Sequence, residues 1–178
     1  MEYFDVLDES GNFTGKKATR EEVHRKGLWH RVAHIWIVNS KGEVLIQKRA
    51  SDKDSYPNMW AMSCEGHVSA GQEPMQGALR ELKEELGIDL KLDQIELSFT
   101  YKRSARYSRN FIGNHFIDVY VLRKDINTSK LVIQKEEISD IRWIKLDDYL
   151  GAIKNNDPDF RDYPDELDRV SEILKKIR

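Results

Sequence analysis

Apolar and polar positions change period several times along the chain, and each change marks a predicted element. EYFDVLD and NFTGKKA lie on either side of Ser10-Gly11 and read as a hairpin. TREEVHRKG follows as a short helix, with Thr19 and Glu22 at capping-box spacing and Gly27 as its stop. RVAHIWIVN and EVLIQKRA are predicted strands joined at Ser40-Lys41-Gly42. In the second, Val44, Ile46 and Lys48 alternate with Leu45, Gln47 and Arg49. Both sets begin apolar, so this strand needs cover on two sides.

SDKDSYPNMW is polar and turn-rich. A short strand near Trp60 to Ser63 leads into a glycine-bearing loop and then a helix from about Pro74 to Leu86, with proline at its first position and Gly87 at its end. Segments 95–105 and 111–122 read as two long strands around the basic stretch KRSARYSRN. ISDIRWIKL is a further strand, DDYLGAI a helical turn, and 157–162 a loop. The last residues, PDELDRVSEILKKIR, form an amphipathic helix with Leu167, Val170, Ile173, Leu174 and Ile177 on one side. Helices interrupt the strands without alternating strictly, which favours an α+β arrangement with a mixed sheet under helices over a doubly wound parallel fold.

Composition narrows this further. The 178 residues suit one domain. The 29 basic and 31 acidic side chains nearly cancel, so charge points neither to nucleic acid nor to an anionic membrane as partner. Cys64 is the single cysteine, which excludes an internal disulfide and fits a reducing compartment. The acidic start MEYFDVLDESG lacks the pattern of a signal peptide, and no apolar run approaches the roughly 20 residues of a membrane span. A cytoplasmic protein is expected.

The helix over 74–86 raises the chemical question. With Glu81 at zero, Glu84 falls near −60° and Glu85 near +40°, while Met75, Leu79, Leu82 and Leu86 occupy an arc from roughly +100° to +160°. One face is core and another is a carboxylate cluster. Like charges at such spacing cost roughly 0.2–0.5 kcal/mol a pair. A solvated acidic face, helped by Arg80 and Lys83, is one account of the cluster. A hard-cation site is the other, because close carboxylates supply oxygen ligands to Mg²⁺ or Mn²⁺. Helix geometry admits both.

The preceding loop changes the balance. Gly66 and Gly71 permit close backbone approach to a ligand, ahead of a helix N-terminus. GHVSAGQEPMQGALRELKEELGI, residues 66–88, resembles the Nudix box, GX5EX7REUXEEXGU with U a bulky aliphatic residue. Gly66, Arg80, Glu81, Leu82, Glu84, Glu85, Gly87 and Ile88 match it. Gln72 stands where the box has its first glutamate, with Glu73 beside it, so any strut from Gln72 to Arg80 lacks charge assistance. The resemblance implies a single domain over 1–178, an α/β/α sandwich with an N-terminal extension of about residues 1–28. It also implies metal ligation by Glu81, Glu84, Glu85 and Gly66, and a hydrolase acting on a small organic diphosphate. Glu84, Glu85 and Glu137 are the candidates for the base that activates water, with Glu136 as rival to Glu137.

LWHRVAHIWIVNSKGEVLIQKRASDKDSYPNMWAMSCEGHV is similar to one Nudix branch, the isopentenyl-diphosphate isomerases. That similarity places His30 and His67 at metal-binding positions and Arg49 and Lys53 at diphosphate-binding ones. Arg80 joins Arg49 and Lys53 as a candidate substrate cation. Against isomerase activity, Glu65 occupies the place of the isomerases' catalytic cysteine, and Cys64, one residue earlier, faces the other side of a strand. The acidic cluster, moreover, is complete. The expected activity is therefore hydrolysis, with isomerisation and a non-catalytic diphosphate-binding module as alternatives. A homodimer is compatible with the resemblance. Lys102, Arg103, Arg106 and Arg109, with Tyr101 and Tyr107, would form a basic hairpin that recognises a nucleotide or is simply solvated.

Overall fold

One strand organises the chain. RVAHIWIVN lies inside β3 (Trp29–Val38), buried along almost its whole length. In the computed structural model, which describes residues 1–177, β3 touches four other strands. It runs parallel to β8 (Phe111–Arg123) over ten register pairs, from Trp29↔Asn114 to Val38↔Arg123. On its other side it pairs antiparallel with β6 (Cys64–His67), and Val38 meets Val44 of β4 (Glu43–Arg49). β9 (Ile138–Lys145) and the two-residue β5 (Trp60–Ala61) pair with β4, and β7 (Leu97–Ser108) pairs with β8. The hairpin of β1 (Tyr3–Leu7) and β2 (Phe13–Thr19) joins through Leu7↔Trp29. The result is a mixed nine-stranded sheet.

Helices cover both faces, as the two apolar sets of β4 require. Leu45 packs with Ile35, Ile37 and Tyr120 under Ala78, Leu82 and Leu86 of α2 (Pro74–Leu86). Val44 and Ile46 pack on the opposite side with Trp36, against Leu146 and Tyr149 of α3 (Leu146–Lys154) and Leu167, Val170 and Leu174 of α4 (Leu167–Ile177). A smaller cluster of Phe4, Val6, Ala18 and Val23 seats α1 (Arg20–Lys26) on the hairpin. Thr19 caps α1, accepting a hydrogen bond from the Glu22 amide, and Gly27 ends it in the left-handed region at φ 63°.

Three local expectations change. The strand predicted near Trp60 to Ser63 splits in two, and Gly66, placed in a loop by its sequence, lies within β6. The basic stretch does not form a hairpin tip. Lys102, Arg103 and Arg106 lie within β7, where exposed and half-buried residues alternate, and only Arg109-Asn110 turn. DDYLGAI is part of the nine-residue helix α3. The side chain of Ile177 lies outside the described residues. No helix among the described residues is long and apolar enough to cross a membrane.

Candidate active site

α2 begins at Glu73, which pairs with Gln76 in a capping box, and has Pro74 in its first turn. Its core side chains fix its rotation on the sheet, and that rotation buries two of the three acidic residues. Glu81 and Glu85 are buried, whereas the Glu84 side chain is half exposed. Gly66 brings the β6 backbone against Glu81. A Cβ at Gly66 would stand 2.0 Å from the Glu81 carboxyl carbon, so only glycine fits. The approach sets the strand backbone directly against that carboxylate.

Arg80 holds the cluster together. One Nη donates to Glu84 and the other to Glu81, each at 2.7 Å, and the latter also donates to the His67 carbonyl at 2.8 Å. Its Nε donates to Gln72 Oε1 at 3.3 Å, so the expected uncharged strut forms, at the long end of hydrogen-bonding range. Arg80, a candidate substrate cation, is thus occupied as the brace between strand and helix. Burial raises the Glu81 carboxyl to about 7 despite Arg80. Burial and the neighbouring Glu81 charge push Glu85 well above the usual carboxylate range. Gln47 on β4 donates to Glu85 at 3.4 Å.

These carboxylates open into a cavity of about 380 Å³ with a cationic far wall. Such a volume is the size of a small-molecule site. Arg49, at the end of β4, donates through Nε to the Ser55 carbonyl and through an Nη to Glu65 at 2.6 Å. Lys53 pairs with Glu137 at 2.5 Å, so two residues expected to act separately, one on substrate and one on water, meet each other. The sequence singled out Glu137 over Glu136, and Glu137 is the one that lines the cavity. Arg20 and Arg103 line it too.

Alternation along β6 separates two environments. Cys64 and Gly66 face α2, and Glu65 and His67 face the other side. Cys64 is fully buried, and burial together with Glu85 drives its thiol well above its ordinary value. Glu65 accepts from Arg49 and, in a short contact, from Arg161. Burial opposes its ionisation, but Arg161 and Arg49 overcome that and lower it to about 2. Beyond it, Glu166 accepts from Trp36 at 2.5 Å and from His34 and Tyr101 at 2.7 Å, with no exposure at all.

His30 and His67 do come together, but on the face of the sheet opposite α2. Their companions are not the carboxylates of α2 but His24 and His115. Sequence reasoning missed these two, along with Glu65, Arg161 and Glu166. His115 had one legible signal, its place on the inward face of a strand whose other inward residues, Ile117 and Val119, are apolar.

A model of the NUDIX domain matches residues 28–165. The chain belongs to the Nudix family. It is 40% identical to an uncharacterized Nudix hydrolase of Listeria monocytogenes, over 88% of this chain and 86% of that protein. It is also 39% identical to Nudix hydrolase 3 of Arabidopsis thaliana over 98% of its own length, but spans only 23% of that longer protein. An isopentenyl-diphosphate Delta-isomerase 2 of Photorhabdus laumondii is 34% identical over 86% of this chain and 82% of its own. The fold is also similar to that of a Deinococcus radiodurans crystal structure, with a TM-score of 0.68 at 20% identity over 98% of both chains. The NUDIX domain of Shewanella oneidensis NrtR, solved with ADP ribose, aligns at a TM-score of 0.61 and 18% identity, over 83% of this chain and 88% of that one. Residues 66–88 are therefore the Nudix box of a Nudix protein, with its glutamates on α2 and its first glycine in β6.

Proposed function

We propose that this Nudix protein hydrolyses a diphosphate bond in a nucleoside diphosphate-linked or related organic diphosphate. The observation that carries the reading is the cavity itself, in which the three box carboxylates face a wall of Arg49 and Lys53. Their chemistry suits a divalent cation: the three carboxylates line one cavity, two of them are buried without full compensation, and glycine at 66 lets the strand backbone lie against Glu81. Mg²⁺ or Mn²⁺ held by Glu81, Glu84, Glu85 and the Gly66 carbonyl would neutralise diphosphate oxygens and make a water more acidic.

The remaining work falls to the chain's own groups. Arg80 fixes Glu81 and Glu84 in one orientation. Arg49 offers a planar fork, and Lys53 a point charge, to phosphate oxygens. Lys53 is held by Glu137 until a diphosphate competes for its Nζ. That exchange frees Glu137 at the moment substrate arrives, beside a carboxylate, Glu85, whose ionisation it already influences. Glu84, Glu85 and Glu137 are the groups positioned to take the proton of the attacking water. Glu65, paired with two guanidiniums, is spent on structure, and the buried thiol of Cys64 points away from it. Neither supplies the acid that an alkene isomerisation needs.

A phosphorus NMR time course with Mg²⁺ or Mn²⁺ tests this, across ADP ribose, dinucleoside polyphosphates and isopentenyl diphosphate, with Glu85→Gln alongside. Cleavage lost in the variant is expected. Conversion of isopentenyl diphosphate to its isomer without phosphate release would establish the isomerase instead.

A further inference from the structure

Beyond the box carboxylates the cavity reaches the side of β6 that Glu65 faces, and there its lining changes. Tyr107 of β7 and Phe111 of β8 line it, their ring centroids 5.2 Å apart. Arg161 lines it too, carried by the segment between α3 and α4. The Arg161 amide donates to the Trp60 carbonyl at 2.9 Å, and its carbonyl accepts from the Tyr149 hydroxyl at 2.6 Å, so the residue is fixed at its root. Its guanidinium carbon lies 4.4 Å from the Tyr56 ring centroid and 4.6 Å from that of Tyr163. Tyr56 in turn stands edge-on to Tyr107 at 5.8 Å and holds a left-handed backbone, φ 52°, uncommon for an aromatic residue.

Arg161 is only 7% exposed, yet its hydrogen bonding is incomplete. Its Nε–H is buried and has no partner among the described residues, an arrangement that disfavours a purely structural role. An ion pair built for structure alone would lay the planar fork across both carboxylate oxygens. Instead Glu65 Oε1 accepts from Arg49 and Arg161 alike, while Oε2 lies 3.7 Å from His34 Nε2, beyond hydrogen-bonding range. A phosphate offered to Nε would lie against the Glu65 charge, so the matching acceptor is neutral, a carbonyl or a ring nitrogen. An alkyl tail would bring only C–H groups to a buried donor and leave it unpaired.

We propose that the non-phosphate group of the substrate carries a nucleobase, and that Arg161 is the specificity-determining residue that reads it. Nε donates to a carbonyl or ring nitrogen of the base, and Tyr107 and Phe111 form the face on which the ring stacks. This rests on the diphosphate reading above and narrows it to nucleoside diphosphate derivatives, away from isoprenoid ones. Aromatic side chains stack with any base, because every base has a π-face, and the single donor selects bases with an acceptor at the facing edge. A site built around such a hydrogen bond rejects an analogue that cannot make it, since the buried donor then stays unpaired. Arg103 of β7 lines both this cavity and a neighbouring one of about 360 Å³, so the space does not end at the stacked ring.

The test measures binding of uncleavable analogues to the full chain in Mg²⁺ by titration calorimetry. The ligands are the α,β-methylene analogues of ADP, GDP, CDP and UDP, with methylenediphosphonate and the methylene analogue of isopentenyl diphosphate as base-free controls. At least one nucleoside analogue should bind roughly tenfold or more tightly than both controls, the order of one stacked base. Arg161→Lys keeps a charge beside Glu65 but loses the Nε donor, and should cut that preference about tenfold while leaving methylenediphosphonate within about twofold. Tyr107→Leu breaks no ion pair, should cut the preference likewise, and decides the matter if Arg161→Lys does not fold. Nucleoside analogues no tighter than the controls, or a preference that survives these variants, overturn the proposal. Cleavage by the wild-type chain is followed separately by phosphorus NMR. The expected binding pattern without cleavage of any nucleoside diphosphate derivative would sink the hydrolase reading and leave the base subsite standing. Cleavage of isopentenyl diphosphate with no preference for nucleosides would do the reverse.

Discussion

Gly66 and Glu81 meet so closely that no side chain fits between them: a Cβ would lie 2.0 Å from the carboxyl carbon. Gly66→Ala must therefore turn the Glu81 carboxylate out of place. A displacement of about 1 Å at a reacting centre costs on the order of 10²-fold in rate, while overpacking at one site costs about 1–3 kcal/mol. The expected variant is folded by circular dichroism and slow in turnover. Wild-type kcat would mean that Glu81 does not need its present position.

Glu65 is the anion between two buried guanidiniums, those of Arg49 and Arg161. Glu65→Gln leaves both without a counter-charge and should destabilise by roughly 3–5 kcal/mol in urea titrations near neutral pH. Its pH signature is also fixed in sign. With a carboxyl held at about 2 against an ordinary 4.5, Glu65 contributes its stability above pH 4.5. That contribution declines as the pH falls from 4.5 towards 2. The variant should show a flatter stability profile across that window, and a parallel profile would refute the assignment.

Glu166 satisfies three donors, on Trp36, His34 and Tyr101, from the turn that enters α4. Glu166→Ala strands all three inside the sheet–helix interface. A loss of at least about 3 kcal/mol is expected, since each orphaned buried group costs about 1–3 kcal/mol. Unfolding by urea, followed through tryptophan fluorescence, measures it. A change below 1 kcal/mol would mean that water or a rearranged side chain reaches these groups.

Cys64 is fully buried and its thiol is held protonated. A thiol reagent such as DTNB should leave the native chain untouched for as long as it stays folded, then titrate one thiol per chain in denaturant. Cys64→Ser should leave diphosphate cleavage standing. Rapid labelling of the native protein would contradict the burial on which the case against isomerisation partly rests.

Gln72 accepts the longest of the hydrogen bonds that Arg80 donates. Gln72→Glu would convert it to a charge-assisted bond, worth up to about 1 kcal/mol more at a partly exposed site. Thermal melting should move up by no more than about 4 °C. A lowered midpoint would show that repulsion from Glu81 and Glu84 outweighs the new pair.

Much of this was legible from the chain alone. The period of α2, Pro74 and Gly87 mark its ends, and the two-sided apolar start of β4 announces the helix layers on both faces. The box carboxylates are local, so their spacing alone brings them together. Gln47 lies on the same side of β4 as Leu45 by simple alternation, and that side is the one under α2, whereas the register shifts after Lys48 and Arg49 pairs with Glu65 on the other side. What stayed hidden is contact between distant segments. His24 and His115 lie 91 positions apart, in a charged helix and in the middle of a long strand, and nothing local marks either as a neighbour of His30. The same holds for Glu65 and Arg161, and for Glu166, whose carboxylate is buried behind a sequence, PDELDR, that reads as a solvated helix start.

The parallel pairing of β3 with β8 also sets an order in time. The two strands are some eighty-five residues apart along the chain, and β4, β6 and the whole Nudix box lie inside the loop they close. The entropy of so long a closure grows only slowly with length, about 0.6 kcal/mol per doubling, so the native state loses little by it. The search for it is another matter, because non-local pairings are the slow ones to find. The pairing that completes the sheet beneath the site is thus the slow step to expect in the folding of this chain.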